Sequence, residues 1–418
     1  MIAIGLIVNK LVSSEHDSDC GIPYISVLLN SNFQNSDTLP NRAEYRLQMI
    51  SLWIKAVARY RKNAQRAEQY LSYERPSDST LTERPFVLDL HTPQLLFDSG
   101  RHPMCIAMNA RLAGSPTYVR CNRLLLGELA RKPFGKDLLT DPAVTWLAAT
   151  ETIPDGSFVL TDTPNMPPDL DAGSHCVEMM IGRDIVDGVP VMPYPMHPAT
   201  LSKLKGIDLS ELRLRPKLVQ LLFAGRLDSH YDNPKIGRAF GVTNRIVMLK
   251  TIHQYLGDRV ATSIGESSSA KPITLVDSRS HAIAAADWLP TLASTSFFLC
   301  CPGAAQPMCH NVIEAMSVGA IPVIEYADRF VPSLQDNVNA ICFRGTGRLC
   351  DALDRIDQLS AEQVQRIRAN VIDYYDRYLR GDQFLRNICN ANVAKVSMPF
   401  NNKNFFRGAQ STVATRAA

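Results

Sequence analysis

The 418-residue chain has no long apolar run, no CxxC pair and no acidic residue after Asp382. No stretch approaches the ~20 apolar residues that a membrane-spanning helix needs. The opening Met1–Val8 is too short to span, and it lacks a basic leader and a small-residue cleavage site, so it reads as a first β-strand rather than a signal peptide. The ten cysteines are scattered without metal or disulfide spacing. Cys300 and Cys301 sit together in an apolar run, as buried thiols do, which points to a reducing, cytoplasmic compartment. Charge of one sign is also missing: 44 Lys and Arg against 41 Asp and Glu leave +3, too little for a dedicated nucleic-acid binder. With 45% hydrophobic residues, a disordered chain is excluded as well.

The location of the charge says more than its total. Arg386, Lys395, Lys403, Arg407 and Arg416 give the stretch after Asp382 a charge of +5. Removing those five from the 44 basic residues leaves 39 against 41 acidic ones in the body, which is nearly neutral. Ala43 to about Tyr73 reads as one helix, with Leu47, Ile50, Ile54 and Val57 on one face. Lys55, Arg59, Lys62 and Arg66 form a basic stripe on another face, read as a solvated surface or as a contact for an anionic lipid or acceptor. Such a stripe, with Phe400, Phe405 and Phe406 beside Lys403 and Arg407 in the tail, suits peripheral attachment to a membrane, each basic residue adding about 1 kcal/mol.

Short apolar runs that stop in polar residues recur at 85–93, 104–110, 157–165 and 189–198, and they read as strands of an α/β sheet. The second half alternates more regularly. Strands are expected at 218–225, 273–276, 296–303 and 320–326, with helices at 245–256, 288–294, 312–317 and 349–379. This spacing implies a parallel, Rossmann-like sheet. A boundary near Ser202–Lys217 then gives domains 1–205 and 206–385, followed by a basic, flexible tail 386–418.

The segment from Asp287 to Pro332 carries the strongest chemistry. Pro302-Gly303 ends a buried strand at the carboxyl edge of the expected sheet, where open α/β folds bind ligands. A helix opening near Cys309–Asn311 directs backbone N–H groups at the same edge, which suits phosphate. Glu314, one turn inside, is placed to reach a pair of ribose hydroxyls. A structural βαβ unit with no ligand would show much of the same pattern.

The word order of this run resembles the nucleotide-sugar-binding segment of exostosin-like glycosyltransferases: an aromatic-rich strand, Pro-Gly, a loop, then Glu314-Ala315, Gly319-Ala320-Ile321-Pro322-Val323 and an acidic residue followed by a proline. The strand leading to Gly225-Arg226 is similar to an element of the same family, and Arg238 and Arg245 fall where that family places a cation for the donor diphosphate. The resemblance covers about residues 185–345. Met308-Cys309-His310-Asn311 departs from the family's Ser-x-Arg, leaving His310 to supply a hydrogen bond or a positive charge to phosphate.

The resemblance implies an α/β, GT-B-like fold, with two Rossmann-like domains facing a central cleft, and transfer of a sugar from a nucleotide donor to a hydroxyl of a glycan or lipid-linked glycan in surface polysaccharide or lipopolysaccharide synthesis. An inverting reaction needs one general base, expected from an N-terminal-domain loop, and Asp89, His91 and Asp162 at strand ends are the candidates. No metal or other cofactor is expected, with cationic side chains and a helix end taking a metal's place at the diphosphate. Donor contacts are expected from Gly225, Arg226, Arg238, Arg245, Pro302, Gly303, His310 and Glu314. Two alternatives stay open. His197-Pro198 is similar to a pair with which bacterial sialic-acid and Kdo transferases hold a CMP phosphate, and the same fold also suits a non-catalytic glycan-binding or assembly subunit.

Overall fold

In the computed structural model, the described residues are Ile54, 58–71 and 83–399, apart from 97, 165, 183 and 184. The expected strand at Met1–Val8, most of the amphipathic face at Leu47–Val57, Lys55, and the aromatic and basic tail after 399 lie outside them.

Two compact units divide the chain. The first holds residues up to Ile181 together with Ile388–Val396, and the second holds Gly182–Asn387 and the residues from Ser397 onward. The division therefore falls upstream of 205. Part of the stretch expected as tail is built into structure, where Val396 and Met398 are buried on a strand.

The first unit is built on a six-stranded sheet in the order β12-β5-β4-β1-β2-β3, whose edge strand β12 begins in this unit and ends among residues grouped with the second. Its strands are β1 (Phe86–Leu90), β2 (Thr117–Cys121), β3 (Val144–Ala148), β4 (Phe158–Thr161), β5 (His175–Gly182) and β12 (Lys395–Pro399). Parallel pairing sets Phe86 opposite both Thr117 and Phe158. Every residue of β1 and β4 is buried, as expected for strands covered on both faces. Helices α1 (Tyr60–Leu71), α2 (Arg101–Leu112), α3 (Arg123–Ala130) and α4 (Pro133–Thr140) belong to this unit. The run 104–110, expected as a strand, lies inside α2. Cys105, Ile106, Ala107 and Ala110 are all buried, so the helix has no polar face there to reveal its period.

The second unit is a parallel sheet in the order β11-β10-β9-β6-β8-β7. Its strands are β6 (Val219–Gly225), β7 (Val260–Ala261), β8 (Ile273–Asp277), β9 (Thr295–Cys300), β10 (Ile321–Ile324) and β11 (Ile341–Cys342). The helices used below are α5 (Pro234–Phe240), α6 (Arg245–Leu256), α7 (Trp288–Ala293), α8 (His310–Ser317) and α9 (Gly345–Gln358). Residues 189–198 form a single bridge, Val191 to Ser397, instead of a strand. Four prolines in ten residues remove the N–H groups that a ladder needs.

Both sheets reverse direction once. In the first, the chain runs from β1 to β2 and β3, then crosses to β4 on the other side of β1. In the second it runs from β6 to β7 and β8, then crosses to β9 on the other side of β6. Such switch points open the carboxyl ends of neighbouring strands to ligands. The two units are α/β and Rossmann-like.

Candidate functional site

In the first unit the switch point brings together the three residues expected to supply a base. Asp89 lies in β1 and is 1% exposed, while Asp162 immediately follows β4. Asp89 Oδ2 accepts His91 Nε2 at 2.6 Å, and Arg120 Nη1 lies 3.7 Å from Asp89 Oδ1. Asp162 has a different task. Its Oδ1 accepts the His91 backbone N–H at 2.7 Å, and its Oδ2 accepts the Thr92 N–H at 3.0 Å and the Thr92 hydroxyl at 2.6 Å. One carboxylate thus orients the imidazole while the other fixes the loop that carries it.

These surroundings raise both Asp162 and His91, from different causes. The buried Asp162 carboxyl is raised by loss of solvation, against the opposing attraction of His91 and the hydrogen bonds from His91 and Thr92. For His91 burial acts to lower the value, but the hydrogen bond and charge of Asp89, with the charge of Asp162, carry it above the ordinary histidine value. Because a carboxylate oxygen only accepts, Nε2 carries a proton, and Nδ1 is the proton-accepting nitrogen of the neutral ring.

In the second unit the buried Arg245 joins the strand ends on either side of the switch point. Its Nη1 donates to Arg226 O at 3.1 Å, after β6, and its Nη2 donates to Pro302 O at 3.2 Å, after β9. The guanidinium carbon stacks 3.7 Å from the Tyr231 ring centroid. Arg245 is therefore a brace for the site, its forked donors turned to carbonyl oxygens. Arg226 is largely exposed and paired with Asp228 at 2.7 Å, and Arg238 is exposed on α5. A Cβ at Gly225 would stand 3.0 Å from the Phe223 ring and 3.4 Å from Arg245 Nη1. At Gly303 it would meet Gln306 O at 2.9 Å, so the Pro-Gly turn folds onto its own backbone.

Around α8 the side chains converge. Glu314 is wholly buried. It accepts the His197 backbone N–H at 2.8 Å on Oε1, and Trp288 Nε1–H at 2.7 Å and His310 Nδ1 at 3.0 Å on Oε2. The reach to ribose expected from the sequence is not the arrangement found, because both oxygens turn inward. Burial alone would raise the Glu314 carboxyl, yet it lies below the usual carboxylate range because the charge and hydrogen bond of His310, the His197 N–H and Trp288 together outweigh that effect. The His197 and His310 ring centroids are 5.1 Å apart. Nearby, Asn311 Nδ2 donates to Ala224 O and Asn233 Nδ2 to Ala304 O, tying α8 and α5 to the two strand ends.

Sequence reasoning missed Arg120, Trp288 and Glu325. Glu325 is 3% exposed, just past β10, and its carboxylate accepts Thr243 N–H at 2.6 Å and Gly345 N–H at 2.7 Å, joining the approach to α6 with the start of α9. The available signal was a charged residue inside or directly ending an apolar strand, as in TYVRC and IPVIE. Among the described residues, no group of three or more His, Cys, Asp or Glu side chains is arranged to hold a metal ion. No described helix is long and apolar enough to cross a membrane. In the basic stripe, Arg59 lies 3.8 Å from Glu128 and Arg66 donates to Asn63, so part of it turns to this chain's own polar groups.

No protein-family model and no curated protein matches the chain. Solved structures align with it at low similarity. A glycosyltransferase from Rickettsia africae is 9% identical, with a TM-score of 0.36 over 74% of this chain and 98% of its own. AviGT4, a glycosyltransferase involved in avilamycin A biosynthesis, is 15% identical, with a TM-score of 0.37 over 73% and 99%. The wall teichoic acid polymerase TagF is 9% identical, with a TM-score of 0.31 over 82% and 97%. With every one of these scores below 0.5, the fold class rests on the sheet orders and switch points described above.

Proposed function

We propose that the protein is a glycosyltransferase of the exostosin-like, GT-B type that moves a sugar from a nucleotide-sugar donor to a glycan hydroxyl with inversion and without a metal. The observation that carries this reading is the pair of switch points, each holding a histidine against a buried carboxylate. In the first unit His91, oriented by Asp89, takes the acceptor proton on Nδ1, and Asp162 keeps its loop in place. In the second unit, the strand ends braced by Arg245, the Pro302-Gly303 turn and His310 receive the donor, and Arg226 and Arg238 are the exposed cations for its diphosphate. The acceptor is a cell-surface glycan or its lipid-linked precursor, met in the cytoplasm, with the basic stripe and tail as peripheral membrane contacts.

A thermal-shift screen of the full chain against UDP, GDP, CDP, CMP and their sugars tests the reading. One nucleoside diphosphate should raise the midpoint, and its sugar should be hydrolysed slowly, with EDTA having no effect. If no nucleotide moves the midpoint, the non-catalytic reading replaces this one. The closeness of the His197 and His310 rings favours a second reading, a CMP-sugar transferase using His197. Stabilisation by CMP, with none by UDP or GDP, would select it.

A further inference from the structure

Two carboxylates, Asp89 and Asp162, are buried at the first switch point beside one histidine. A buried carboxylate needs hydrogen bonds or an opposite charge to stay ionised. Asp162 is met by three donors, the His91 and Thr92 N–H groups and the Thr92 hydroxyl. Asp89 is met by charge partners instead: His91 on Oδ2 and Arg120 on Oδ1. With Arg120 removed, the partner left to Asp89 would be a protonated His91, and a protonated ring is no base.

The setting of Arg120 suits a permanent charge. It lies directly opposite Asp89 in the parallel pairing of β2 with β1 and is 5% exposed. Its Nη2 donates to Ala149 O at 2.7 Å, just after β3, and lies 3.5 Å from Asp169 Oδ1, between β4 and β5. The guanidinium is thus tethered beyond the pair and keeps its proton at any ordinary pH. Burial is the largest influence on the His91 ring and lowers its value; the hydrogen bond and charge of Asp89 and the charge of Asp162 raise it, and the charge of Arg120 lowers it. The thiols of Cys121 and Cys176, which face Asp89 from β2 and β5, are pushed by burial up to about 12 and about 11, so they remain neutral while the histidine titrates.

We infer that Arg120 is a positioning residue, the permanent counter-ion of Asp89, which leaves His91 able to lose and regain its ring proton. This rests on the reading above that His91 is the base.

The test follows the His91 ring itself, by histidine-selective NMR titration of the full chain, with its signal among the nine histidines assigned from His91→Gln. Turnover of the nucleotide-sugar selected by the thermal-shift screen is followed against pH in parallel. Arg120→Met should raise the His91 midpoint by about one pH unit or more, the usual effect of one close charge. The rising limb of turnover should move with it, so that activity on the acid side falls about tenfold and returns at higher pH. Arg120→Lys, which keeps a cation, should move the midpoint less. In an Asp89→Asn background, Arg120→Met should have a much smaller effect, because Arg120 acts through that carboxylate. Should Arg120→Met alone fail to fold, the double variant decides. Removing both partners of a buried pair is tolerated where removing one is not, so recovery of folding supports the counter-ion and continued failure overturns it. An unmoved midpoint in folded Arg120→Met overturns it as well and leaves the base reading intact. A chain that turns over no nucleotide-sugar loses the base reading, while the ring titration still decides whether Arg120 is the counter-ion.

Discussion

In the first unit the carboxylate precedes its histidine by two residues at the end of a strand, whereas in the second it follows its histidine by four within a helix. Both spacings put the two side chains on one face, since a strand repeats every two residues and a helix nearly every four. The consequence differs at the ring. Asp89 engages Nε2 of His91, and Glu314 engages Nδ1 of His310. The surroundings differ as well. Asp89 shares its site with Arg120 and with a second carboxylate, Asp162, which holds the His91 loop. Glu314 has no second carboxylate among its hydrogen-bond partners and gathers three donors instead. The first arrangement suits a base that must accept and release a proton, and the second holds its histidine and carboxylate in one fixed geometry.

The largest expected effect separates these two roles. His91→Ala should lower nucleotide-sugar turnover by about 10²–10⁴, the usual contribution of a general base. It should leave nucleotide affinity unchanged, read by titration. Parallel loss of affinity would break the division between the units. Next is the brace. Arg245→Met removes two hydrogen bonds to strand-end carbonyls and a stacked cation, and should destabilise the chain by about 2–4 kcal/mol in urea unfolding. An effect below about 0.5 kcal/mol, the range of ordinary surface changes, would show that Arg245 does not hold the site together.

Gly303→Ala is expected to have a smaller effect. Its Cβ must push against Gln306 O, costing about 1–3 kcal/mol by overpacking and weakening donor binding. Unchanged stability and binding would show that the Pro-Gly turn opens freely. The mildest test is the pH profile. His91 must be neutral to act as a base, so turnover should rise with pH through its raised value. Asp89→Asn should move that limb to lower pH by removing the hydrogen bond and charge that raise it. The linked stability has the opposite slope: a raised histidine stabilises the fold fully below its unfolded value of 6.5, and the contribution is lost as pH rises through the folded value. For Glu314 the depressed carboxyl contributes stability above its unfolded value of 4.5 and loses it as pH falls through the lower folded value. Glu314→Gln should remove that acid-side loss in thermal unfolding, and an unchanged acid slope would contradict the assignment.

The sequence made the second sheet legible because β6, β9 and β10 are near-continuous apolar runs ended by Gly225, Pro302 and Glu325. It also placed Asp89, His91 and Asp162 at strand ends, where the first switch point unites them. Other features were hidden for physical reasons. The α2 run carries no helical period because most of its faces are buried. β12 is remote in sequence from its neighbour β5, so local pattern gives no sign of the pairing. The orientation of Glu314 depends on Trp288 and His197, far away along the chain, and the helix spacing alone suggested an outward reach.

Nucleotide affinity and nucleotide-sugar turnover, measured on one preparation of full-length His91→Ala, test the central division of labour most directly. The division requires affinity close to that of the unmodified chain, within about twofold, with turnover reduced at least about 100-fold. Unchanged turnover, or affinity that falls together with it, would contradict the account.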